Sequence, residues 1–227
     1  MVCDDNLITF CRRNGPPRSL PGREGRSLVL MEAPVIMVGT DSVEVDRRLS
    51  AGELACPCGD LAQWGYARAR TVRGVGVLRP RRARCGRCAV THVLLMVSCL
   101  LRRADGVDVI GAALRWKAAG AGHRRIAERL GRPVATVRGW LRGFARHAQG
   151  VCSAFTALLV RLDPLTGPLP SHPSLFADAV EVIGGCAAAA RRRLGVVGAV
   201  SPWQLAAAFT NGRLLAAGLT VELINTN

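Results

Sequence analysis

Four cysteines in two close pairs are the residues of this sequence whose types and spacing most clearly indicate chemistry. Cys56 and Cys58 form the first pair, in "CPCG", and Cys85 and Cys88 form the second, in "CGRC". Two cysteine pairs separated by the length of a β-hairpin are typical of a zinc ribbon, in which four thiolates hold one Zn²⁺ ion tetrahedrally. The sequence therefore predicts one structural zinc ion bound by these four cysteines.

The spacing of the first pair leaves two other interpretations open. Cys-x-Cys is tighter than the Cys-x-x-Cys of most zinc knuckles, and His92, four residues after Cys88, could replace one thiolate. The cysteines could also be thiols that hold no metal. For His92 itself, a place in a strand is the better interpretation. Gly59 and Gly86 each follow a cysteine, where we expect a positive φ to be useful.

The positive charge of the chain is concentrated in its middle. The formal net charge is +15, and residues 56–150 carry 19 Lys and Arg against 4 Asp and Glu. A segment this basic favours an anionic partner, and nucleic acid is the usual one. The nine cysteines, an odd number, do not resemble a secreted disulfide framework and favour the reducing cytoplasm. No apolar run is long enough to predict a membrane span.

A run of arginines leads directly into the second cysteine pair. Its members are Arg79, Arg81, Arg82 and Arg84. Alternation along a strand would point Arg79 and Arg81 to one face of a sheet and Arg82 and Arg84 to the other. We expect the partner strand to carry Arg68, Arg70 and Arg73. The prediction is a small cationic ribbon that lies along DNA phosphates or inserts an arginine into a narrow minor groove, and the alternative is a solvated sheet face.

The segment "HRRIAERLGRPVATVRGWLRGFA", residues 123–145, has the apolar spacing of a helix-turn-helix. One face of the first helix carries Ile126, Ala127 and Leu130, and one face of the second carries Val137, Trp140 and Leu141. Gly131 allows the tight turn between them. Residues 107–120 supply a preceding support helix through Val109, Ile110, Ala113 and Leu114. The alternative is a plain helical hairpin inside a bundle.

The second helix of this pair predicts the contacts with DNA. If Pro133 begins it, the exposed face carries Val134, Ala135, Arg138 and Arg142, and Thr136 lies at its N-terminal turn. Arg138 would bind a guanine through two hydrogen bonds, and the small apolar side chains would meet a thymine methyl group. The phosphates would be contacted by Arg124, Arg125, Arg132, Arg142 and Arg146.

The order of these motifs resembles known families. A zinc ribbon followed by "RRIAERLGRPVATVRGWL" resembles the N-terminal DNA-binding half of insertion-sequence transposases. More closely, "LRPRRARCGRCAVTHVLL" and "AAGAGHRRIAERLGRPVATVRGWLRGFA" resemble an uncharacterised bacterial helix-turn-helix family associated with mobile elements, over about residues 34–217. The resemblance implies binding at the ends of an element. The shortened first knuckle departs from the pattern.

The C-terminal segment argues against a catalytic transposase. Residues 151–227 contain four acids, Asp163, Asp178, Glu181 and Glu222, and no strand-rich pattern that would carry a catalytic triad. Thiolate ligands without a neighbouring glutamate also disfavour a zinc hydrolase. We therefore predict that the chain is not an enzyme, and no small-molecule substrate is inferred. One face of its helix 174–195 is apolar and either packs internally or forms a dimer. That face carries Leu175, Ala179, Val182, Ile183, Cys186 and Ala190.

The predicted fold is mainly α with a small β zinc ribbon. Four segments are expected: a disordered N-terminus (1–33), a zinc-ribbon-like domain (34–100), a trihelical helix-turn-helix domain (101–150) and a C-terminal helical region (151–227). The expected partner is double-stranded DNA, with a second copy of the chain or a transposase or integrase as further partners. The function favoured is sequence-specific, transposition-associated binding on the nucleoid, and the alternative is a transcriptional regulator at a promoter operator.

Overall fold

The structure, a computed structural model, describes residues 35–194 and 200–216 of the 227-residue chain. The described chain divides into two compact units. Unit 1 comprises residues 35–70 and 78–96, and unit 2 comprises residues 71–77, 97–194 and 200–216. About half of the described residues are helical, and a sheet occupies unit 1, so the fold is mixed α/β rather than mainly α. The predicted disordered segment 1–33 lies outside the described residues.

The sheet of unit 1 has five strands within the described residues, in the order β1-β7-β6-β3-β2. They are β1 (Val35–Met37), β2 (Ala55–Cys56), β3 (Gly59–Tyr66), β6 (Arg81–Cys85) and β7 (Thr91–Leu95). Strand β1 runs parallel to β7, and the other neighbours are antiparallel. This arrangement brings the end of β2, which carries Cys56, and the end of β6, which carries Cys85, to the same end of the sheet.

The partner of the arginine-rich strand β6 differs from the prediction. Strand β6 pairs with β3, which ends at Tyr66, so Arg68, Arg70 and Arg73 do not lie opposite it. The chain instead forms a separate hairpin from β4 (Arg70–Val72) and β5 (Gly76–Leu78). A short turn closes this hairpin, in which the N–H of Val75 donates to the carbonyl of Val72 at 3.0 Å.

One helix of unit 1, α1 (Ser42–Ser50), contributes to the hydrophobic core beneath the sheet. The sequence of residues 41–54 predicts a short helix with Asp41 or Ser42 as its cap. The carboxylate of Asp41 is the cap, accepting from the N–H of Glu44 at 2.9 Å, and the helix ends at Ser50 rather than residue 54. The buried core is apolar and includes two of the four cysteines. Its members are Val38, Val45, Leu49, Leu54, Cys56, Leu61, Ala83, Cys85 and Leu94.

Unit 2 is built mainly from helices. They are α2 (Val107–Ala118), α3 (His123–Leu130), α4 (Val134–Leu162), α5 (Leu175–Leu194) and α6 (Pro202–Phe209). Helix α4 is 29 residues long and runs through residue 150, where the sequence predicted a domain boundary. Buried residues continue at helical spacing across that point, at Ala148, Val151 and Phe155, so nothing ends the helix there. None of the described helices has the length and apolar character needed to cross a bilayer.

Helices α5 and α6 pack against the rest of unit 2. The apolar face of α5, predicted to be either core or dimer interface, is largely internal: Ala179 and Ile183 are fully buried, and the Cys186 thiol donates to the carbonyl of Phe155 at 3.0 Å. The exception is Leu175, which is 41% exposed. The sequence "SPWQLAAAF" predicts a helix that opens with a capping box of Ser201 and Gln204, and helix α6 begins with that box.

Candidate metal centre and nucleic-acid interface

The four predicted cysteines come together at one end of the unit 1 sheet. Their Sγ atoms all lie within 4.8 Å of one another. The Sγ of Cys58 is 3.4 Å from those of Cys56 and Cys85, and the Sγ of Cys56 is 3.8 Å from that of Cys88. Sulfurs this close, on four separate side chains, form a cluster that can hold a metal ion. The prediction that these four cysteines come together is confirmed.

Two tight turns deliver the cysteines to the cluster. Cys56 ends β2 and pairs with Gly59 of β3, so Cys58 lies in the turn between these strands and the Cys-x-Cys spacing fits a β-hairpin. Cys85 ends β6, opposite Leu61 of β3. The turn that follows is closed by the N–H of Ala89, which donates to the carbonyl of Cys85 at 3.0 Å, and it carries Cys88.

The second turn favours a negative charge on Cys85. Its Sγ accepts the backbone N–H groups of Cys88 at 3.5 Å and Arg87 at 3.4 Å. The N–H of Cys88, assisted by that of Arg87, lowers the pKa of the Cys85 thiol to about 6. Burial has the opposite effect on Cys56, whose pKa it raises. The cluster therefore has a thiolate at Cys85 near neutral pH, the form in which a cysteine binds metal.

Two details of the predicted knuckles are corrected. Gly59 and Gly86 do not have positive φ, and the left-handed conformation belongs to Ala89, with φ 60°. The glycine at 59 instead permits a close approach, because a Cβ there would lie 3.3 Å from the Cβ of Arg87. His92 lies on β7, outside the sulfur cluster, and is 4% exposed. Its place in a strand is the one that the sequence favoured. Burial lowers its pKa.

The arginines of the ribbon have different surroundings. Arg81 pairs with Asp46, its Nη2 lying 3.0 Å from Oδ2, so the predicted phosphate contact from Arg81 is already replaced by a carboxylate. Arg79 lies over the ring of Tyr66, and Arg84 lies over the ring of Trp64. Within the described residues, no carboxylate pairs with Arg79, Arg82 or Arg84.

In unit 2, helices α2, α3 and α4 form a small core with a tight turn between α3 and α4. Every predicted apolar position of this core except Val109 and Leu130 is buried: Ile110, Ala113, Leu114, Ile126, Ala127, Val137, Trp140 and Leu141. Gly131 ends α3 with φ 59° and ψ 41°, a left-handed conformation that glycine adopts without strain. Pro133 precedes α4, which begins at Val134.

The first turns of α4 present an exposed face of small and basic residues. Val134 is 41% exposed, and Ala135, Arg138 and Arg142 are exposed, while Thr136 is half-buried. Arg124, Arg125 and Arg146 are exposed as well. The first turns of α3 and α4 contain no acidic residue. An anion that approaches the first turn of α4 therefore meets no carboxylate from that turn.

Arg132 is a second predicted phosphate contact that binds a carboxylate of the chain instead. Its Nε donates to Oδ1 of Asp105 at 2.6 Å, and its Nη1 donates to the carbonyl of Gly131 at 3.2 Å. Asp105 is 2% exposed and also accepts two hydrogen bonds from Arg73, at 3.0 and 2.7 Å. Arg132 therefore fixes the turn before α4 instead of extending toward a ligand.

We call this group, Arg73, Asp105 and Arg132, the carboxylate clamp. Burial alone would raise the pKa of Asp105, but the hydrogen bonds from the two arginines outweigh it and hold that pKa below its usual range. The clamp ties the β4–β5 hairpin to the turn before α4, because Arg73 in the hairpin and Arg132 in that turn bind the same carboxylate. The N–H of Arg73 also donates to the carbonyl of Ala104 at 2.8 Å. Sequence reasoning missed it, although Asp105 is one of four acids in the basic segment 56–150.

Comparison with models of protein families, with curated proteins and with solved structures finds no match to this chain. The resemblance to transposase DNA-binding regions therefore stays a prediction, and the function rests on the geometry of the two units.

Proposed function

We propose that this protein binds double-stranded DNA sequence-specifically through α3 and α4, which act as a helix-turn-helix, with α4 as the recognition helix. The observation that carries the proposal is the exposed, acid-free face at the start of α4, set on a buried three-helix core. A helix enters the major groove with its N-terminal residues toward base edges when those residues are small or donate hydrogen bonds. Val134 and Ala135 are small, Arg138 donates hydrogen bonds, and all three side chains are exposed.

The surrounding arginines supply the affinity that does not depend on sequence. Exposed guanidinium groups on both helices would neutralise phosphates on either side of the groove: Arg124, Arg125, Arg142 and Arg146. The carboxylate clamp holds the turn between the helices without occupying this surface. Such contacts position the protein on the duplex and leave discrimination between bases to the start of α4.

The cysteine cluster has, in this proposal, a structural role with one Zn²⁺ ion. Zinc–sulfur bonds of about 2.3 Å arranged tetrahedrally separate the sulfurs by roughly 3.8 Å, close to the distances among the four Sγ atoms. Four thiolates leave no open position for a substrate, which is the pattern of structural rather than catalytic zinc. The ion, when bound, would join the β2–β3 and β6–β7 turns of unit 1.

Changing Arg138→Ala is expected to relax selectivity at one base pair of the preferred site. Loss of two hydrogen bonds to a guanine should weaken binding to that site by about 1–3 kcal/mol while leaving non-specific binding nearly unchanged. The measurement is selection of bound sequences from a random duplex pool, followed by competition between the selected site and its single-base variants.

Arg161→Ala is the matched control for this change. Arg161 is exposed on the same helix, 23 residues and therefore about 35 Å along the axis from Arg138. Its replacement should leave the selected sequence unaltered. If Arg138→Ala and the native chain select the same sequences with the same stringency, the start of α4 does not read bases.

The biological setting of this binding follows from which DNA is bound. The sequence resemblance favours a non-catalytic role in transposition, and the alternative is regulation of a promoter. Recovery of bound DNA across a genome separates the two roles. Enrichment at terminal inverted repeats supports the transposition role, and enrichment at promoters supports the regulator.

A further inference from the structure

We propose that the unit 1 sheet binds single-stranded DNA, with Trp64 stacking on an unpaired base and Arg84 contacting the adjoining phosphate. This binding goes beyond the duplex recognition proposed for α4, because it uses a different unit and a different form of DNA. The proposal rests on which side chains share the sheet face opposite the core, on their exposure and on their charge.

Alternation along β6 separates the two faces of the sheet. Ala83 and Cys85 are buried in the core, so Arg82 and Arg84 point to the opposite face. The guanidinium of Arg84 lies 4.6 Å from the ring centroid of Trp64, which places Trp64 on that face too. We call this the outer face. It consists of Asp60, Ala62 and Trp64 from β3, Arg82 and Arg84 from β6, and Thr91 and Val93 from β7, so it carries two arginines and one carboxylate.

The exposure of Trp64 is unusual for its residue type. Trp64 is 52% exposed, whereas Trp140 is 3% and Trp203 is 7% exposed. A cation–π contact with Arg84 contributes little at an exposed site, and it leaves half of the side chain in water. Tryptophan is highly buried on average, and Ala62, two residues before Trp64 on the same face, is too small to cover the ring.

The charge of the outer face favours an anion. Arg82 and Arg84 have no carboxylate partner among the described residues, whereas the acids of α1 are already paired. Asp46 pairs with Arg81, and Glu44 pairs with Arg47. A ligand that combines an anionic backbone with flat aromatic groups satisfies both the arginines and the exposed ring. Nucleic acid has this composition.

The exposed ring of Trp64 favours single-stranded over double-stranded DNA as the ligand. In a duplex the faces of the bases are stacked on each other, so they are not free to stack on an aromatic side chain of the sheet. Unpaired bases stack readily on an exposed aromatic ring while arginines bind the backbone, as in other single-strand-binding surfaces. Tyr66 is not part of this surface, because it pairs in register with Arg81, on the face of β6 that carries Ala83 and Cys85.

The test is the affinity of the full-length chain for a labelled oligothymidine, measured by fluorescence anisotropy. Replacing Trp64→Ala should weaken binding of an oligothymidine of about 15 nucleotides roughly tenfold, and Trp64→Phe should keep it within about threefold of the native value. Val43→Ala is the control, because Val43 is an exposed apolar residue of the same unit, at 76%. It should change nothing.

Two parallel measurements separate stacking from folding and from duplex binding. Oligothymidine should quench the tryptophan fluorescence of the native chain. The Trp64→Phe chain should still bind oligothymidine but show no quenching. This comparison tests stacking on Trp64 even if the Trp64→Ala chain fails to fold. A random-sequence duplex should bind the native chain and Trp64→Phe equally.

Three results would overturn the assignment. The first is an unchanged oligothymidine affinity in a folded Trp64→Ala chain. The second is quenching that persists in Trp64→Phe, and the third is a native chain that binds duplex but not oligothymidine. The last result would leave the role of α4 intact, whereas binding of oligothymidine without duplex would refute the role of α4 and leave this assignment standing.

Discussion

Replacing Cys85→Ser should abolish metal binding and loosen unit 1. Cys85 is 1% exposed, its Sγ lies 3.4 Å from that of Cys58, and it receives two backbone N–H groups. A serine oxygen is a poor ligand for a metal that thiolates hold. Binding to a structural site contributes about 10–16 kcal/mol in small zinc domains, so losing one ligand removes a large part of the stability of the unit.

The measurements are metal content of the purified chain and hydrogen exchange of residues 78–96. We expect about one zinc per native chain and close to none in the variant, with protection lost along β6 and β7. Cys152→Ser is the control, because Cys152 lies on α4 in the other unit, outside the cluster. If the Cys85→Ser chain retained a full complement of metal and native protection, the cluster would not be a metal site.

Replacing Asp105→Ala should destabilise unit 2 by about 3 kcal/mol. Removing one partner of a buried ion pair leaves uncompensated charge, which typically costs about 3–5 kcal/mol, and the cost here is reduced because Arg73 is about half exposed. The side chain of Arg132, at 20% exposed, loses its carboxylate in a more buried setting. Urea unfolding followed by helical circular dichroism reports this loss, since α2 to α6 all belong to unit 2.

The stability lost on replacing Asp105→Ala should become smaller as the pH falls. The pKa of Asp105 is lower in the folded than in the unfolded chain, so its stabilisation is fully present above about pH 4 and disappears as the pH falls through the folded-state value. The native chain and the variant should therefore converge in acid. Asp163→Ala, which removes an exposed pair with Arg192, should cost about 0–1 kcal/mol. Equal losses at Asp105 and Asp163 would mean that the clamp is not a structural element.

The sequence was sufficient for features that depend on local spacing. Cys56, Cys58, Cys85 and Cys88 stood out because tight turns must place each pair together, and the core of α3 and α4 stood out because its apolar residues repeat at helical intervals. Asp41 as a cap of α1 and the capping box of α6 follow from residues within one turn. In each case the contacts join residues that are near one another along the chain, except that the two cysteine pairs meet across 27 to 32 residues, which the shared chemistry of four thiols predicts.

Long-range contacts that no chemical motif marks were not predictable. The carboxylate clamp joins residues 73, 105 and 132, which no local pattern relates. The partner of β6 was mistaken because residues 59–66 and 68–73 both have strand-like composition, and only tertiary packing decides which one pairs. The continuity of α4 past residue 150 depends on α5 packing against it, which supplies a buried face for the second half of the helix.

The most direct test of DNA binding by α4 is the salt dependence of the affinity of the full-length chain for a duplex. We expect the logarithm of the binding constant to fall linearly with the logarithm of salt concentration, with a slope of about −4 if four to five exposed arginines meet phosphates. Arg124→Ala with Arg125→Ala should flatten that slope by about two. Duplex affinity that is absent, or that does not change with salt, would contradict the proposed function.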